Sequence, residues 1–120
     1  MRKKGYKGRC EKRMLSKCEG ICRTYHPIQS VYADQLEADP AVKTFQCNVL
    51  LEDLPMGAYT TDFLCTMQDD SLRVRECVPR EHLMKPMNIK LMEASRKYWS
   101  NKGVSDWKIV TNVEKEEIVK

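Results

Sequence analysis

No apolar run in this chain approaches the roughly 20 residues that a bilayer-spanning helix requires, and the mean hydropathy is −0.59. A secretory leader is missing as well: Met1-Arg2-Lys3-Lys4 runs into Gly5-Tyr6-Lys7-Gly8-Arg9 instead of an apolar core, which predicts an intracellular, cytoplasmic protein with no membrane contact. There is no internal repeat and no low-complexity segment, which excludes a solenoid or a linker-rich chain. The six cysteines contain no Cys-x-x-Cys knuckle, so the usual zinc-finger spacing is absent, and an intracellular location argues against a disulfide framework.

What the chain does have is the size of one domain, 120 residues, with 42% hydrophobic and 32% charged residues, enough to bury a core. Its net charge of +4 is unevenly placed: Arg2, Lys3, Lys4, Lys7, Arg9, Lys12, Arg13 and Lys17 are opposed in that stretch only by Glu11. Such an arm neutralises backbone phosphates without reading sequence, although a solvated tail is the plainer alternative.

Residues 1–17 read as an extended or weakly helical arm and 15–23 as a short helix. On such a helix Cys18, Cys22 and His26 share one face, and Cys10 can fold back to complete a structural zinc set; ordinary packing is the stronger reading. Cys47, Cys65 and Cys77 fall in apolar strand-like segments and read as core.

Pro27 opens a helix to about Ala38, with Ile28, Val31, Tyr32, Gln35 and Leu36 at helical spacing before Asp39-Pro40 ends it. Strands follow at 42–51, 59–66 and 72–78, the last two joined by Gln68-Asp69-Asp70-Ser71. Pro86–Asn101 is the clearest helix, with Met87, Leu91, Ala94 and Tyr98 on one face and Gly103 past its end. A strand at 107–111 and the start of a helix at 113–120 complete the order. A three-strand meander, a crossover helix and a returning strand make an α/β domain whose last strand is most easily parallel to another.

The hairpin carries chemistry. Asp62 opens its first strand and Glu76 closes its second, so antiparallel pairing brings two carboxylates together, as a metal-dependent nuclease requires.

The blocks Ser30-Val31-Tyr32-Ala33-Asp34-Gln35-Leu36-Glu37-Ala38-Asp39-Pro40, Tyr59-Thr60-Thr61-Asp62-Phe63-Leu64, Glu76-Cys77-Val78-Pro79, Lys90-Leu91-Met92-Glu93-Ala94 and Gly103 to Thr111 together resemble the TnsA endonuclease N-terminal domain family. The resemblance implies a restriction-endonuclease-like mixed sheet flanked by helices over residues 27–120, after a basic, Cys-containing arm at 1–26. It implies a metal-dependent DNA endonuclease subunit of a heteromeric transposase in a prokaryotic cell, cutting one strand at transposon ends beside a DDE-type transposase. The alternative is a degraded nuclease fold kept for DNA binding or assembly.

Carried over by position, Asp62 and Glu76 are the metal ligands for Mg2+, with Mn2+ as a substitute, and Gln29 stands where the family places a catalytic glutamate. Val78 stands at the lysine of the PD-(D/E)xK pattern. Lys90 is the first replacement for that lysine, with Arg80 and Lys85 beside it, and Asp34 or Glu37 are replacements for the helical acid. Arg2, Lys3, Lys4, Lys7, Arg9, Arg80 and Lys85 are the expected DNA contacts.

Overall fold

The computed structural model describes residues 10–52 and 54–111. The segment expected as a short helix at 15–23 is extended instead. Strands β1 (Glu11–Arg13) and β2 (Cys22–Thr24) form an antiparallel hairpin. Between them, Lys17 to Glu19 lies along Phe45, with Phe45 N–H donating to the Lys17 carbonyl at 2.9 Å and Glu19 N–H to the Phe45 carbonyl at 2.8 Å. The chain here satisfies its backbone against a neighbouring strand, and local helical spacing of Cys18, Cys22 and His26 yields to that pairing. The last helix expected at 113–120 lies outside the described residues.

Helix α1 (Pro27–Ala38) starts where Pro27 and its cap indicate: the His26 ring Nδ1 accepts the Ile28 N–H at 3.1 Å. Strands β3 (Val42–Leu51), β4 (Tyr59–Met67) and β5 (Leu72–Cys77) form an antiparallel meander. Helix α2 (Pro86–Asn101) then crosses over, and β6 (Trp107–Val110) pairs parallel to β5, giving the order β3-β4-β5-β6. The mixed sheet flanked by helices is therefore present as expected. Among the described residues no helix is long and apolar enough to cross a membrane.

The core has two parts, one on each side of the sheet. Ile28, Ala33 and Leu36 of α1 pack with Phe45, Phe63, Cys65 and Cys77. Leu91, Met92 and Trp99 of α2 pack with Leu51, Tyr59, Val74 and Val78. The buried face of α2 is thus Asn88, Leu91, Met92, Ser95 and Trp99, rotated from the expected Met87-Leu91-Ala94-Tyr98 stripe. Met87 is exposed, and Ala94 and Tyr98 face a surface hollow.

In a regular strand, side chains two residues apart share a face. Here Phe45 and Cys47 face α1 while Val49 and Leu51 face the α2 cluster, and Phe63 and Cys65 face α1 while Tyr59 does not. Both strands therefore turn over at one level, at Asn48 and Asp62, between the pairs Cys47↔Phe63 and Val49↔Thr61. Asn48 has φ +58°, a left-handed conformation that asparagine tolerates better than most residues, and its side-chain amide donates to the Arg23 carbonyl at 2.8 Å.

The hairpin is fastened to α1 by Arg13, which donates to Asp34 Oδ1 at 2.6 Å, and by Glu37, which accepts from the backbone of Ser16 at 3.1 Å and Lys17 at 3.0 Å and from the Ser16 hydroxyl. The Ser16 hydroxyl, then the Lys17 amide, holds the Glu37 carboxyl below its ordinary value. Asp34 and Glu37, expected as replacement acids for the site, are used in this attachment.

Phe63 stands at the centre of the α1 side, 5.5 Å from the Tyr32 ring and 5.9 Å from the Phe45 ring, with 1% exposure. Phe63→Ala is expected to cost about 3–5 kcal/mol, read by urea unfolding. A loss under about 1 kcal/mol would contradict this packing.

Candidate functional site: an acid at the fork of two strands

Pairing between β4 and β5 ends at Phe63↔Arg75. The next N–H on β5, that of Cys77, turns to the Asp62 carboxylate, donating to Oδ2 at 2.6 Å. The other oxygen, Oδ1, accepts from Gln29 Nε2 at 2.8 Å. Gln29 lies in the first turn of α1 and is 2% exposed, and Asp62 is 3% exposed.

The direction of the Gln29 amide follows from its neighbours. The Tyr25 backbone N–H donates to Gln29 Oε1 at 2.6 Å, and an N–H cannot accept, so the NH2 group must face Asp62.

Glu76 turns to the other side and is fully buried. Its Oε1 accepts from the Tyr59 hydroxyl at 2.7 Å and from the Asp62 N–H at 3.1 Å, and its Oε2 from the Ser95 hydroxyl at 2.5 Å. Trp107 Nε1 donates to Ser95 Oγ at 2.9 Å, and Trp99 Nε1 to Thr61 Oγ1 at 2.9 Å. The tryptophans pack in the α2 cluster and also supply the outer hydrogen bonds.

Asp62, Glu76 and Gln29, named from the sequence, are thus gathered at the fork, with Asp62 in direct contact with both others. Two polar partners were not foreseen. Ser95 sits in the apolar stripe Leu91-Ser95-Trp99 of α2, and a hydroxyl at such a position is the sequence signal for a buried acceptor opposite. Tyr59 gives less warning, because a tyrosine at a strand start is ordinary core.

The cations lie elsewhere. Val78, where the resemblance would put a lysine, is fully buried in the α2 cluster. Lys90 is exposed on α2 and lines an open hollow of about 760 Å3 with Leu50, Met56, Glu93 and Tyr98. Arg80 and Lys85 are exposed on the connection into α2. Arg2, Lys3, Lys4, Lys7 and Arg9 lie outside the described residues. Arg75 bonds to Asp106 Oδ1 at 2.9 Å; burial pushes the Asp106 carboxyl up, and Arg75 and Arg73 together overcome this and leave it below its ordinary value.

A hard divalent cation prefers several carboxylate or carbonyl oxygens turned toward one point. In this arrangement each oxygen of Asp62 and Glu76 already accepts an N–H or O–H, and Gln29 presents NH2 instead of its carbonyl. The donor set does not fit Mg2+ as it stands.

The fold and the acid-bearing fork together define a restriction-endonuclease-like domain. Residues 25–112 match the family model described as TnsA-like endonuclease N terminal. The chain belongs to this family, whose description is that of an endonuclease. No curated protein matches it.

Gln29→Glu tests the role of the amide. A second carboxylate facing Asp62 must take up a proton or a cation, because two like charges at hydrogen-bond distance disfavour joint ionisation. A proton bound in the folded state but not in the unfolded one gives stability that is present at low pH and falls as pH rises. The variant is expected to melt lower than wild type at pH 8, to recover toward acid pH, and to gain thermal stability with millimolar Mg2+ or Mn2+. Melting that ignores both pH and cation would refute the assigned contact.

Proposed function

We propose that this chain is a transposition subunit that uses a nuclease fold to hold DNA and to dock its partner, with strand cleavage left to another subunit. One observation carries the proposal: the Gln29 amide donates to Asp62 at 2.8 Å, and the family resemblance implies a glutamate in its place, so a hydrogen bond stands where a second carboxylate would call for a cation. Val78 adds to it. A buried valine cannot stabilise the charge that develops on a scissile phosphate, a role for which preorganised electrostatic groups contribute about 2.7–4 kcal/mol.

On this reading the fork is structural. Asp62 caps the Cys77 amide, Glu76 caps the Asp62 amide, and both helices are thereby keyed to the sheet. DNA contact falls to the basic arm, together with exposed Arg80 and Lys85, and works through phosphate neutralisation. The partner is a DDE-type transposase, as the family resemblance implies.

A second reading is supported by the meeting of Gln29, Asp62 and Glu76 at the fork: a Mg2+- or Mn2+-dependent endonuclease in which partner binding opens the site, with Lys90 or a neighbouring cation supplied by movement.

The two readings part in a nicking assay on supercoiled plasmid with Mg2+ or Mn2+, using the chain alone and with its transposase. No metal-dependent nicking attributable to this chain is expected, alone or in the complex. Nicking by wild type that Asp62→Asn abolishes would overturn the proposal in favour of the second reading. Removing residues 1–9, which leaves the β1–β2 hairpin intact, is expected to weaken DNA binding and to flatten its salt dependence by close to one unit of log–log slope for each phosphate no longer neutralised. An unchanged slope would reduce the arm to a solubility tail.

A further inference from the structure

Outside the fork, the described residues hold one group of three or more Cys, His, Asp or Glu side chains close enough to share an ion: Cys18, Cys22 and Cys47, whose sulfurs all lie within 4.8 Å of one another. They come from three different segments, the strand-like stretch beside Phe45, β2, and β3. The Cys18 and Cys47 sulfurs are 3.9 Å apart. Tetrahedral zinc with Zn–S bonds of about 2.3 Å sets its sulfurs about 3.8 Å apart, so little movement separates the observed spacing from that of a thiolate site.

The ligand set differs from the one that helical spacing implied. His26 caps α1 through Nδ1, and Cys10 lies next to β1 outside the trio, while Cys47, read from the sequence as core, joins Cys18 and Cys22.

The Cys47 and Cys18 thiols donate to the Ile21 and Glu19 carbonyls, at 3.7 and 3.9 Å, so a metal ion would displace two weak S–H contacts. Arg13 is the cross-strand partner of Cys22 in the β1–β2 hairpin, a cation next to the cluster.

We propose that Cys18, Cys22 and Cys47 form a zinc site that staples the N-terminal β1–β2 hairpin to edge strand β3. Three thiolates supply most of a tetrahedral shell, and the fourth place is left to water. A soft thiolate set selects zinc over Mg2+ or Mn2+, so this site is chemically separate from the fork. Its role follows from its place: the same hairpin continues into the basic arm, and a metal fixed across 18, 22 and 47 would hold that arm's root against the sheet.

The test uses the full chain, purified under reducing conditions. Zinc content by plasma emission is expected to be one Zn2+ per chain. Co2+ substitution is expected to give thiolate-to-cobalt charge-transfer bands in the near ultraviolet and strong visible bands of a tetrahedral site. Cys47→Ser is expected to weaken Zn2+ binding at least tenfold, and Cys10→Ser to leave it unchanged. Removing zinc with a mercurial reagent is expected to speed tryptic cleavage at Arg13 and Lys17 while the α2 region stays protected.

Wild-type protein that takes up neither Zn2+ nor Co2+, or Co2+ bound without charge-transfer bands, would overturn the proposal without any variant having to fold. Zinc retained at full affinity by folded Cys47→Ser, or a metal-free chain lighter by two hydrogens through a disulfide within the trio, would do so as well.

Discussion

The N–H of Cys77 points into a gap where β4 has left β5, and the carboxylate of Asp62 fills that gap. A buried amide left without a partner would cost about 1–3 kcal/mol, so the fork can exist only with an acceptor of this kind placed between the strands. Much else depends on that placement. Asp62 and Asn48 mark the level at which both strands turn over, so that residues of one parity in β3 and β4 meet α1 on one side of this level and the α2 cluster on the other. Gln29 ties α1 to the same carboxylate, and Glu76 accepts the Asp62 amide while Ser95 ties α2 to Glu76. Both helices are keyed to the sheet through two acids.

Burying two carboxylates is unfavourable unless their oxygens are met by donors or by a cation. A nuclease of this fold meets the need with a metal ion and a lysine. Here the protein itself meets it, with one side-chain amide, two backbone amides and two hydroxyls. If the resemblance aligns Gln29 with a glutamate and Val78 with a lysine, the two exchanges are chemically coherent, because Gln29 donates to Asp62 and Val78 joins the apolar α2 cluster. An arrangement so satisfied is stable without a cation and gives one little reason to bind.

The sheet, both long helices and the acid pair were legible because they rest on strong local signals: Pro27 and Pro86 at helix starts, Gly103 past a helix end, and apolar runs bounded by Asp69-Asp70 and Pro55-Met56-Gly57. The bounds of α1 and α2 agree with those signals to the residue. Residues 15–23 misled because Cys18, Cys22 and His26 repeat at helical spacing, whereas the backbone of 17–19 pairs with Phe45, a contact set by tertiary structure and invisible to periodicity. The inward face of α2 was rotated for a related reason: Ser95 and Asn88 are polar, and their burial is explained only by Glu76 and the His82 carbonyl that they meet. Cys47 does pack against the α1-side core, as read, but its nearness to the Cys18 sulfur was not legible, because the two lie 29 residues apart in sequence. The direction of Gln29 could not be read at all, since it is decided by the Tyr25 amide.

That hydrogen bonds, and no divalent cation, complete the carboxylates at the fork is tested most directly by electron paramagnetic resonance of free Mn2+ titrated with the full chain. The free-ion signal is expected to be undiminished at equimolar, sub-millimolar protein, and equally so for wild type and Asp62→Asn. Stoichiometric loss of the signal with wild type that Asp62→Asn restores would contradict a fork completed by hydrogen bonds alone.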